Sequence, residues 1–291
     1  MLAYRHQFHA GNFADVFKHA LLAQLLLALQ KKTAPYFYLD THAGIGLYDL
    51  SHPWAQKNAE HEAGIARVWK HPDAPAEIAP YLDAVRAENP GGTLRSYPGS
   101  PCIARRLMRA QDRIGLIELN RKDAQVLADL FVRDRRVTVE CADGYQALKA
   151  LLPPKERRGL ILIDSSFDRA REFDRLTDAY AAAYRKFATG IFALWYPLME
   201  PAAMRAFERG IVATGIRKIL QLEIRVHADD WKATMRGCGL LVTNPPFGFD
   251  DTAASMLAWL APLLYEDDPA VARTLRSRNM QTYEVKWLTG E

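Results

Sequence analysis

From residue 114 onward, short apolar segments alternate with amphipathic segments, and this pattern constrains the fold more than any other feature of the sequence. Such alternation is typical of a parallel sheet covered by helices. Two final strands, at residues 218–226 and 238–244, are separated only by a loop, so we expect an antiparallel hairpin at one edge of the sheet. The other predicted strands are residues 114–119, 137–141, 160–164 and 191–196, and the predicted helices are 122–131, 145–152, 173–187 and 201–213.

The first predicted strand, residues 36–40, ends in an acid and is followed at once by a turn that contains Gly44 and Gly46. Its apolar residues suit a central parallel strand, which is buried on both faces. Glycines let backbone N–H groups approach a ligand because they carry no Cβ. An open α/β sheet commonly begins a nucleotide or cofactor site in this way. An ordinary strand-to-helix turn is the alternative interpretation.

Four predicted strands end at or near an acidic residue, namely Asp40, Glu118, Asp143 and Asp164. Ligands of open α/β sheets bind outside the carboxyl ends of the strands, so we expect these acids to lie along one crevice. The acid after the second strand can accept both hydroxyls of a ribose, and the acid after the third can accept an adenine amine. This placement favours an adenosine-type cofactor. For each residue alone a helix N-cap is the alternative, above all for Asp143 before Gly144.

Two other nucleotide-binding classes fit less well. The G-x-G-x-x-G motif is incomplete, because Leu47, Tyr48 and Asp49 follow the two glycines. A helical region also stands where a dehydrogenase would carry its ribose acid. No G-x-x-x-x-G-K-[ST] motif occurs, so P-loop chemistry has no support.

The first 19 residues are dense in aromatic and imidazole side chains, and residues 15–30 predict a leucine-rich helix. We expect residues 1–35 to form a lid or substrate-contacting segment with its helix; a terminus packed on the domain by its phenylalanines is the alternative. Residues 47–100 predict a helical insertion between the first and second strands, with helices at 60–70 and 76–88, within a single domain of residues 1–291. Ser100 before Pro101 predicts an N-cap with proline at N1.

The composition sets a few further limits. A net charge of +4 permits a nucleic-acid partner without requiring one. Three cysteines without a CxxC pair argue against a disulfide framework or a zinc site, and His6 and His9 have no cysteine or paired acid at ligand spacing, so we expect no metal. We see no signal peptide and no apolar run of membrane-spanning length, and therefore expect a cytoplasmic monomer with no membrane partner.

Basic and aromatic groups suggest contact with RNA. Acids are interspersed among the arginines, and such groups are often only solvated faces, but together with the basic N-terminus they favour phosphate contact. The arginine groups are Arg105/Arg106/Arg109, Arg133/Arg135/Arg136 and Arg157/Arg158. Trp195-Tyr196-Pro197, at the end of the fifth strand, could flank a target base, and packed core aromatics are an equal alternative.

Several sequence blocks carry a family resemblance across nearly the whole chain. They are Met-Leu-x-Tyr-Arg-His-x-Phe-His-Ala-Gly-Asn at the start, Leu39-Asp40-Thr41-His42-Ala43-Gly44-x-Gly46, Tyr97-Pro98-Gly99-Ser100-Pro101, Ala142-Asp143-Gly144, Arg158-Gly159-Leu160-Ile161-Leu162-Ile163-Asp164, Ala193-Leu194-Trp195-Tyr196-Pro197 and Ala213-Thr214-Gly215-Ile216-Arg217-Lys218. These blocks resemble the bacterial 23S ribosomal RNA adenine-N6 methyltransferases of the J type. The layout of βα units with a terminal hairpin is likewise that of the Rossmann-like class I S-adenosylmethionine-dependent methyltransferases.

The resemblance implies S-adenosylmethionine as cofactor and N6-methylation of a specific adenine in 23S ribosomal RNA, on free RNA before full assembly. It places the cofactor against Lys18, His19, His42, Ser100, Glu118, Asp143, Gly144 and Asp164, to which the glycine turn adds Gly44. Asp164 would also act on the adenine amine, with Ser165 and Phe167 beside it. Tyr4 would meet the RNA, and we group Arg5 and His6 of the same block with it as substrate-binding residues.

The chain departs from the family at one motif. The family has Asp-Pro-Pro-Tyr after the fourth strand, whereas this chain has Asp164-Ser165-Ser166-Phe167. The acid and the following carbonyl accept the two N–H groups of the target amine, and the aromatic ring stacks on the extruded base. All three groups remain here, and what is lost is the rigidity that prolines give the backbone. We expect retained but slower chemistry; a silenced cofactor- and RNA-binding protein is one alternative, and a DNA adenine-N6 methyltransferase is another.

A second segment has a similar sequence of letters. Asn244-Pro245-Pro246-Phe247 reads like the amino-methyltransferase motif, but it follows the last predicted strand, which we place antiparallel to the others. We therefore expect it at the end of the sheet opposite the cofactor, as a loop that ends its strand because proline cannot continue the ladder.

Overall fold

The computed structural model describes residues 5–167, 171–227, 235–265 and 282–290, which form a β-sheet covered by helices. The strands are β1 (Phe37–Asp40), β2 (Leu47–Asp49), β3 (Ser96–Pro98), β4 (Arg113–Glu118), β5 (Val137–Cys141), β6 (Gly159–Ile163), β7 (Ile191–Leu198), β8 (Ile219–Arg225), β9 (Gly237–Thr243) and β10 (Tyr283–Thr289). The helices are α1 (Phe13–Gln30), α2 (Pro53–Asn58), α3 (Glu60–Ala63), α4 (Ile65–Val68), α5 (Ala79–Ala87), α6 (Ser100–Leu107), α7 (Arg121–Phe131), α8 (Gly144–Leu151), α9 (Glu172–Lys186), α10 (Pro201–Ala213) and α11 (Phe249–Leu264), and a 3-10 turn, His6–Phe8, precedes α1.

The main sheet has the order β5-β4-β1-β6-β7-β9-β8-β10. The first five strands of that order pair in parallel. Strand β9 runs antiparallel to β7 and β8, and β10 runs antiparallel to β8. The predicted fold class is confirmed: this is a mostly parallel, Rossmann-like sheet with an antiparallel hairpin. The edge beside the hairpin is formed by β10, which is absent from our predicted strands.

Helices pack on both faces of the sheet because its central strands are buried and apolar on both sides. Helices α1, α5, α6 and α11 bury their side chains in one core, and α8, α9 and α10 bury theirs in the other. Val16, Phe17 and Leu21 of α1 are fully buried. Helix α1 therefore has a fixed position against the sheet, and so do the polar residues in its first turns.

The apolar character of α1 corrects one expectation. By length and composition α1 could cross a membrane, although we expected no such segment. In the structure, however, 78% of its apolar window is buried inside the protein. A packed core helix meets the same length and composition criterion, because burial in a core and in a bilayer both favour apolar residues.

Of the two helices that we expected between β1 and β4, the second is present as α5 (Ala79–Ala87), whereas the first is interrupted. The segment 60–70 is divided into α3 and α4 at Gly64. A Cβ on Gly64 would lie 2.1 Å from the Gly11 carbonyl oxygen, and the Ile65 N–H donates to that oxygen at 2.8 Å. The break thus results from close backbone contact with the N-terminal segment. The short strands β2 and β3 also pair here, antiparallel to each other. A separate functional unit at residues 47–100 stays a prediction.

The prediction that Ser100 caps α6 is wrong. Gly99 is the N-cap, and Ser100 is the first residue of the helix. The Gly99 N–H donates to the Gly46 carbonyl at 2.9 Å, which holds Gly99 extended as the N-cap, so the helix begins one residue earlier than expected. As a result the Ser100 side chain lies at the cavity described below.

Candidate functional site

A cavity of about 570 Å³ opens at the carboxyl ends of β1, β4, β5 and β6. Its lining includes residues that directly follow each of these strands, together with the start of α1 and the 3-10 turn before it. The volume falls within the usual range for small-molecule sites. The cavity therefore occupies the position at which open α/β sheets bind their ligands.

Most of the residues that we predicted for the site line this cavity. They are His6, Lys18, His19, His42, Gly44, Ser100, Glu118, Asp143, Gly144, Asp164, Ser165 and Phe167. Tyr4 lies outside the described residues. Arg5 lies beside the cavity and donates from Nη1 to Asp123 Oδ2 at 3.0 Å, which ties the N-terminal segment to α7. The structure brings these residues together, and their roles toward a ligand stay predictions.

A buried cation lies at the centre of the cavity wall. The Lys18 ammonium is 2.5 Å from Asp164 Oδ2 and 3.1 Å from Asp15 Oδ1. Burial alone would lower the pKa of Lys18, but the two carboxylates outweigh burial and raise it. Lys18 is therefore charged at any physiological pH and fixes the position of Asp164.

Asp15 connects this cation to the N-terminal segment. Its Oδ2 accepts hydrogen bonds from His6 Nε2 and the Gly11 N–H, both at 2.9 Å. Burial would raise the pKa of Asp15, but His6 and Lys18 lower it well below its ordinary value. Asp15 is therefore an ionised, almost fully buried anchor for the segment that covers one side of the cavity.

Two of the strand-end acids face the cavity in the predicted way. Glu118, at the end of β4, accepts from the Gly44 N–H at 2.9 Å and the Asn120 N–H at 2.7 Å, while burial raises its pKa. Asp143 caps α8 through its Oδ1, which accepts from the Tyr145 N–H at 2.9 Å. Asp143 is thus the N-cap of α8 and also lines the cavity. The N-cap position therefore does not exclude the predicted contact with a cofactor.

The expectation that Asp40 lines the same crevice is wrong. Asp40 is completely buried, and burial raises its pKa. Its Oδ2 accepts from the Tyr38 hydroxyl at 2.9 Å, and its Oδ1 accepts from the His42 N–H at 3.2 Å. Asp40 therefore stabilises the turn behind the cavity and does not reach the ligand space.

The glycine turn requires glycine at two positions. Gly44 and Gly46 have φ values of 61° and 81°, in the left-handed region that side chains disfavour. A Cβ on Gly44 would lie 2.3 Å from the Tyr48 hydroxyl, and one on Gly144 would lie 2.2 Å from the Thr41 carbonyl oxygen. These glycines allow the turn and the start of α8 to pack closely at the floor of the cavity.

The buried His19 and the half-buried His42 supply neutral rings to the wall. Burial lowers the pKa of both His19 and His42. His19 Nδ1 is 2.8 Å from the Tyr97 hydroxyl, and His42 Nδ1 is 2.8 Å from the Thr41 hydroxyl. Among the described residues the buried Nε2 of His19 has no hydrogen-bond partner, although His19 lines the cavity. This atom is available for a polar ligand group.

A network of hydrogen bonds fixes the loop after β6. Ser165 Oγ donates to Glu172 Oε1 at 2.5 Å, and Tyr145 Oη donates to the same oxygen at 2.6 Å. Arg175 Nη1 donates to Glu172 Oε2 at 2.9 Å. Glu172 is only 4% exposed. The loop that lacks the family's prolines is therefore anchored by a side chain from α9.

Phe167 extends the same loop as an aromatic wall. Its φ of 51° turns the chain sharply. Its ring packs against Phe173, with centroids 4.8 Å apart, and edge-on against Trp195 at 5.9 Å. Trp195 lines the cavity, while Tyr196 is buried and donates to Glu223 at 2.8 Å. Of the two aromatic residues Trp195 and Tyr196 in β7, only Trp195 can contact a base.

The loop Asn244-Pro245-Pro246-Phe247 lies at the other end of the sheet. Asn244 Nδ2 donates to the carbonyls of Ala188 and Gly190, both at 2.8 Å, just before β7 begins. Because β9 is antiparallel to β7, its last residue lies where β7 starts. The loop has no access to the cavity, as we expected.

The predicted arginine groups are also at that opposite end. Arg105, Arg109 and Arg136 lie in connections that lead into the parallel strands, and each is paired with an acid: Glu88, Asp112 and Asp134, respectively. Arg158 Nη2 donates to the Leu29 carbonyl at 2.8 Å. These four arginines stabilise the connections and cannot reach a base held in the cavity.

Some residues at the cavity were not among our predictions. Asp15 stands three residues before Lys18, a helical spacing that could have indicated their pairing. Glu172, Tyr145 and Arg175 gave no such signal, because only the tertiary fold brings them to Ser165. Within the described ranges, no cluster of three or more histidine, cysteine, aspartate and glutamate side chains is arranged to hold a metal ion.

Comparison with known proteins gives concordant matches over most of the chain. A family model described as ribosomal RNA large subunit methyltransferase D, RlmJ, matches residues 33–275. The ribosomal RNA large subunit methyltransferase J of Escherichia coli strain K12 is 45% identical over 260 residues, which cover 89% of this chain and 93% of that protein. The protein of the same name from Haemophilus influenzae is 41% identical over 292 residues and is covered completely, as is this chain.

A solved structure agrees with the fold as a whole. The crystal structure of protein LPL1258 from Legionella pneumophila superimposes with a TM-score of 0.86 at 35% sequence identity. The superposition covers 96% of this chain and 98% of that one. The similarity thus extends over both ends of the sheet.

Proposed function

We propose that this chain, which belongs to the family of ribosomal RNA large subunit methyltransferase D, RlmJ, transfers a methyl group from S-adenosylmethionine to the N6 atom of an adenine in 23S ribosomal RNA. The observation that carries the proposal is the position of Asp164: a carboxylate at the end of β6, in the cavity, held by a buried cation 2.5 Å away. We propose that the reaction takes place on free RNA in the cytoplasm, before assembly is complete.

The residues of the cavity fit an adenosine-bearing cofactor. We assign Glu118 to the ribose hydroxyls and Asp143 to an adenine amine, because both line the cavity at the ends of the neighbouring strands β4 and β5, and the Gly44 turn lines it too. The partnerless Nε2 of His19 offers a further polar contact. When bound, S-adenosylmethionine would supply a methyl group already activated by the sulfonium, so the protein needs no metal for this step.

Asp164 and Ser165 would orient the target amine. The Asp164 carboxylate accepts one N–H and the Ser165 carbonyl accepts the other, which directs the nitrogen lone pair away from the loop. Asp164 is also the group placed to take the proton that the amine loses. Phe167 and Trp195 provide ring faces for a base taken out of its stack. An unpaired or looped adenine would reach this position at least cost.

Lys18 and Glu172 would hold the acceptors in place. The ammonium of Lys18 keeps Asp164 oriented without leaving the cavity, because Asp15 binds it from the other side. Glu172 fixes the Ser165 hydroxyl, and so limits the movement of a loop that has serines where the family has prolines. This anchoring supports an active enzyme over the silenced alternative.

Methyl transfer from radiolabelled S-adenosylmethionine to 23S ribosomal RNA, taken from cells that lack this enzyme, tests the proposal. We expect label in N6-methyladenine with the wild-type chain and none with Asp164→Asn. Equal transfer to a DNA oligonucleotide of the same sequence would support the DNA alternative. Cofactor binding by calorimetry without turnover on any RNA would support the silenced alternative.

A further inference from the structure

Basic residues gather at the end of the sheet opposite the cavity. The connections that lead into β1, β4, β5, β6, β7 and β8 all carry exposed lysine or arginine side chains. We call this surface the basic edge and define it by ten exposed residues: Lys31, Lys32, Arg106, Arg133, Arg135, Lys155, Arg157, Arg185, Lys186 and Lys218.

The charge of the basic edge exceeds that of the whole protein. Its ten side chains carry +10, whereas the whole chain carries +4, so the remainder of the chain carries −6. Acids that lie among these connections are held by other arginines. Asp112 binds Arg109 at 2.9 Å, and Glu156 binds Arg113 at 2.9 Å. The ten cations are thus not cancelled by those acids.

The basic edge is continuous across the sheet. Its residues lie at the ends of six strands, which together with β9 make the seven adjacent strands from β5 to β8 and span about 29 Å at the usual strand spacing. Hydrogen bonds join neighbouring connections, because Arg136 donates to the Met108 carbonyl at 2.6 Å and Arg109 donates to the Lys32 carbonyl at 3.0 Å. The cations therefore form one firmly supported strip.

The cavity end has the opposite character. Its lining contains seven acidic residues but only Lys18 and Arg175 as permanent cations, and both of these contact acids. A polyanion that approached this end alone would meet little attraction. Long-range attraction between nucleic acids and proteins comes from basic surface, and among the described residues the basic edge supplies ten exposed cations at the other end.

An exposed aromatic ring lies at the same edge. Phe247 is fully exposed and follows two prolines, in a loop fixed by the hydrogen bonds of Asn244. The Asn244 N–H also donates to the Lys218 carbonyl at 3.0 Å, which places the ring beside the basic edge. A rigid, exposed ring next to cations suits stacking on an unpaired base.

We propose that the basic edge binds the phosphate backbone of the substrate RNA at a distance from the target adenine, with Phe247 stacking on an unpaired base. The proposal rests on the proposed function for the identity of the RNA. Ribosomal RNA is long enough to pass around the domain, so that one segment contacts the basic edge while another enters the cavity.

Neutralising four residues of the edge tests this proposal. The variant Arg133→Gln/Arg135→Gln/Lys155→Gln/Arg185→Gln alters only exposed side chains, so we expect the unfolding temperature to be unchanged. We expect affinity for a long 23S ribosomal RNA fragment to fall about tenfold or more, and the slope of log affinity against log salt to decrease by about 3. Affinity for S-adenosylmethionine and kcat on a short oligonucleotide should stay at wild-type values.

A matched variant separates local contact from net charge. The control Lys70→Gln/Arg86→Gln/Arg205→Gln/Arg209→Gln also removes one lysine and three arginine charges, but from exposed sites elsewhere. This control should bind the long RNA nearly as the wild type does. Two results would overturn the proposal: equally weakened RNA binding in both variants, or wild-type RNA affinity and salt slope in the edge variant. The second result would indicate that the basic edge binds an acidic protein instead of RNA. RNA binding is measured without turnover, so the result stands even if no methyl transfer is found.

Discussion

The loops that follow β6 and β9 are similar in sequence but lie at opposite ends of the sheet. Asp164-Ser165-Ser166-Phe167 is in the cavity, where Asp164 contacts a buried ammonium. Asn244-Pro245-Pro246-Phe247 is at the basic edge, where the Asn244 amide binds two backbone carbonyls. Strand direction alone separates them, because β9 is antiparallel to β7.

This difference shows that the chemistry of a short motif depends on the direction of its strand. The loop with the more family-like letters, Pro-Pro-Phe, presents a fully exposed ring and no acid. The loop with the less family-like letters has the acceptor, the carbonyl and the part-buried ring in the cavity. Matched substitutions in the two loops can therefore test which one acts in catalysis.

The largest expected difference is between Asp164→Asn and Asn244→Asp. Asp164→Asn should lower kcat below detection, by at least about a hundredfold, because the amide lacks the negative charge that pairs with Lys18 and cannot take the proton that the amine loses. Asn244→Asp should leave kcat within about twofold of wild type but should reduce the free energy of unfolding by about 1–3 kcal/mol, because two carbonyls lose their donor. Single-turnover methyl transfer and urea unfolding give the two numbers. A catalytic loss in Asn244→Asp at full folding would contradict our assignment of the loops.

Lys18→Met should have the next largest effect. The substitution leaves the carboxylates of Asp15 and Asp164 in the cavity wall without their shared cation, so we expect kcat to fall and the free energy of unfolding to decrease by about 3 kcal/mol. Lys57→Met, on the exposed surface of α2, is the control and should change neither. Chemical denaturation with parallel kinetics measures both quantities, and an unchanged kcat in folded Lys18→Met would show that Asp164 needs no such partner.

Glu172→Ala tests whether a side chain replaces the prolines of the family motif. Without Glu172 the Ser165 hydroxyl loses its 2.5 Å acceptor, so we expect kcat to fall about tenfold while KM for the cofactor changes little. Adding Ser165→Pro to this variant should restore part of kcat by stiffening the loop directly. If the double variant is no faster than Glu172→Ala alone, loop rigidity is not the function of Glu172.

A smaller effect concerns pH and Glu118. Burial raises the pKa of Glu118 above its ordinary value of 4.5, and only the ionised carboxylate can accept two ribose hydroxyls. Affinity for S-adenosylmethionine should therefore be full at neutral pH and should fall as the pH is lowered. The fall should begin at a higher pH than it would if an exposed glutamate bound the ribose. Calorimetry between pH 7 and about 5 measures this, with Glu118→Gln as a variant that binds weakly and without that pH dependence. An identical pH profile in both proteins would exclude Glu118 as the titrating group.

The smallest effect is expected for the two phenylalanines on a short substrate. Phe167→Ala should weaken the binding of an adenine oligonucleotide by about 1–3 kcal/mol through lost stacking. Phe247→Ala should leave the binding of the same oligonucleotide unchanged. Fluorescence titration of the same oligonucleotide with both variants gives the comparison. Weaker binding in Phe247→Ala alone would reverse our assignment of the rings.

Features that depend on local sequence were predictable. The parallel strands, the glycine turn and the acids Glu118, Asp143 and Asp164 follow from periodicity and from the position of ligands in open sheets. Strand β10 was missed, although Tyr283, Val285 and Trp287 alternate with polar residues, as in a half-exposed edge strand. The alternation alone could not show that this strand pairs with β8.

Features that depend on burial and tertiary contact were not predictable in this way. In sequence, Asp40 resembles the other three acids that follow strands. In the structure, however, it is buried behind the turn, where it accepts hydrogen bonds from the Tyr38 hydroxyl and the His42 N–H. Glu172 reaches Ser165 only because α9 packs beside α8, and no spacing rule relates the two residues. The position of Ser100 was missed because a hydrogen bond from Gly99 to Gly46 makes Gly99 the N-cap, so the helix begins one residue earlier than expected.

The central claim is that the cavity at the carboxyl ends of the strands carries out methyl transfer to an adenine amine through Asp164. Mass spectrometry of nucleosides from 23S ribosomal RNA, incubated with S-adenosylmethionine and either wild-type chain or Asp164→Asn, tests it most directly. We predict N6-methyladenine with the wild type and none with the variant, while both bind the cofactor. Equal amounts of N6-methyladenine with both proteins would contradict the account.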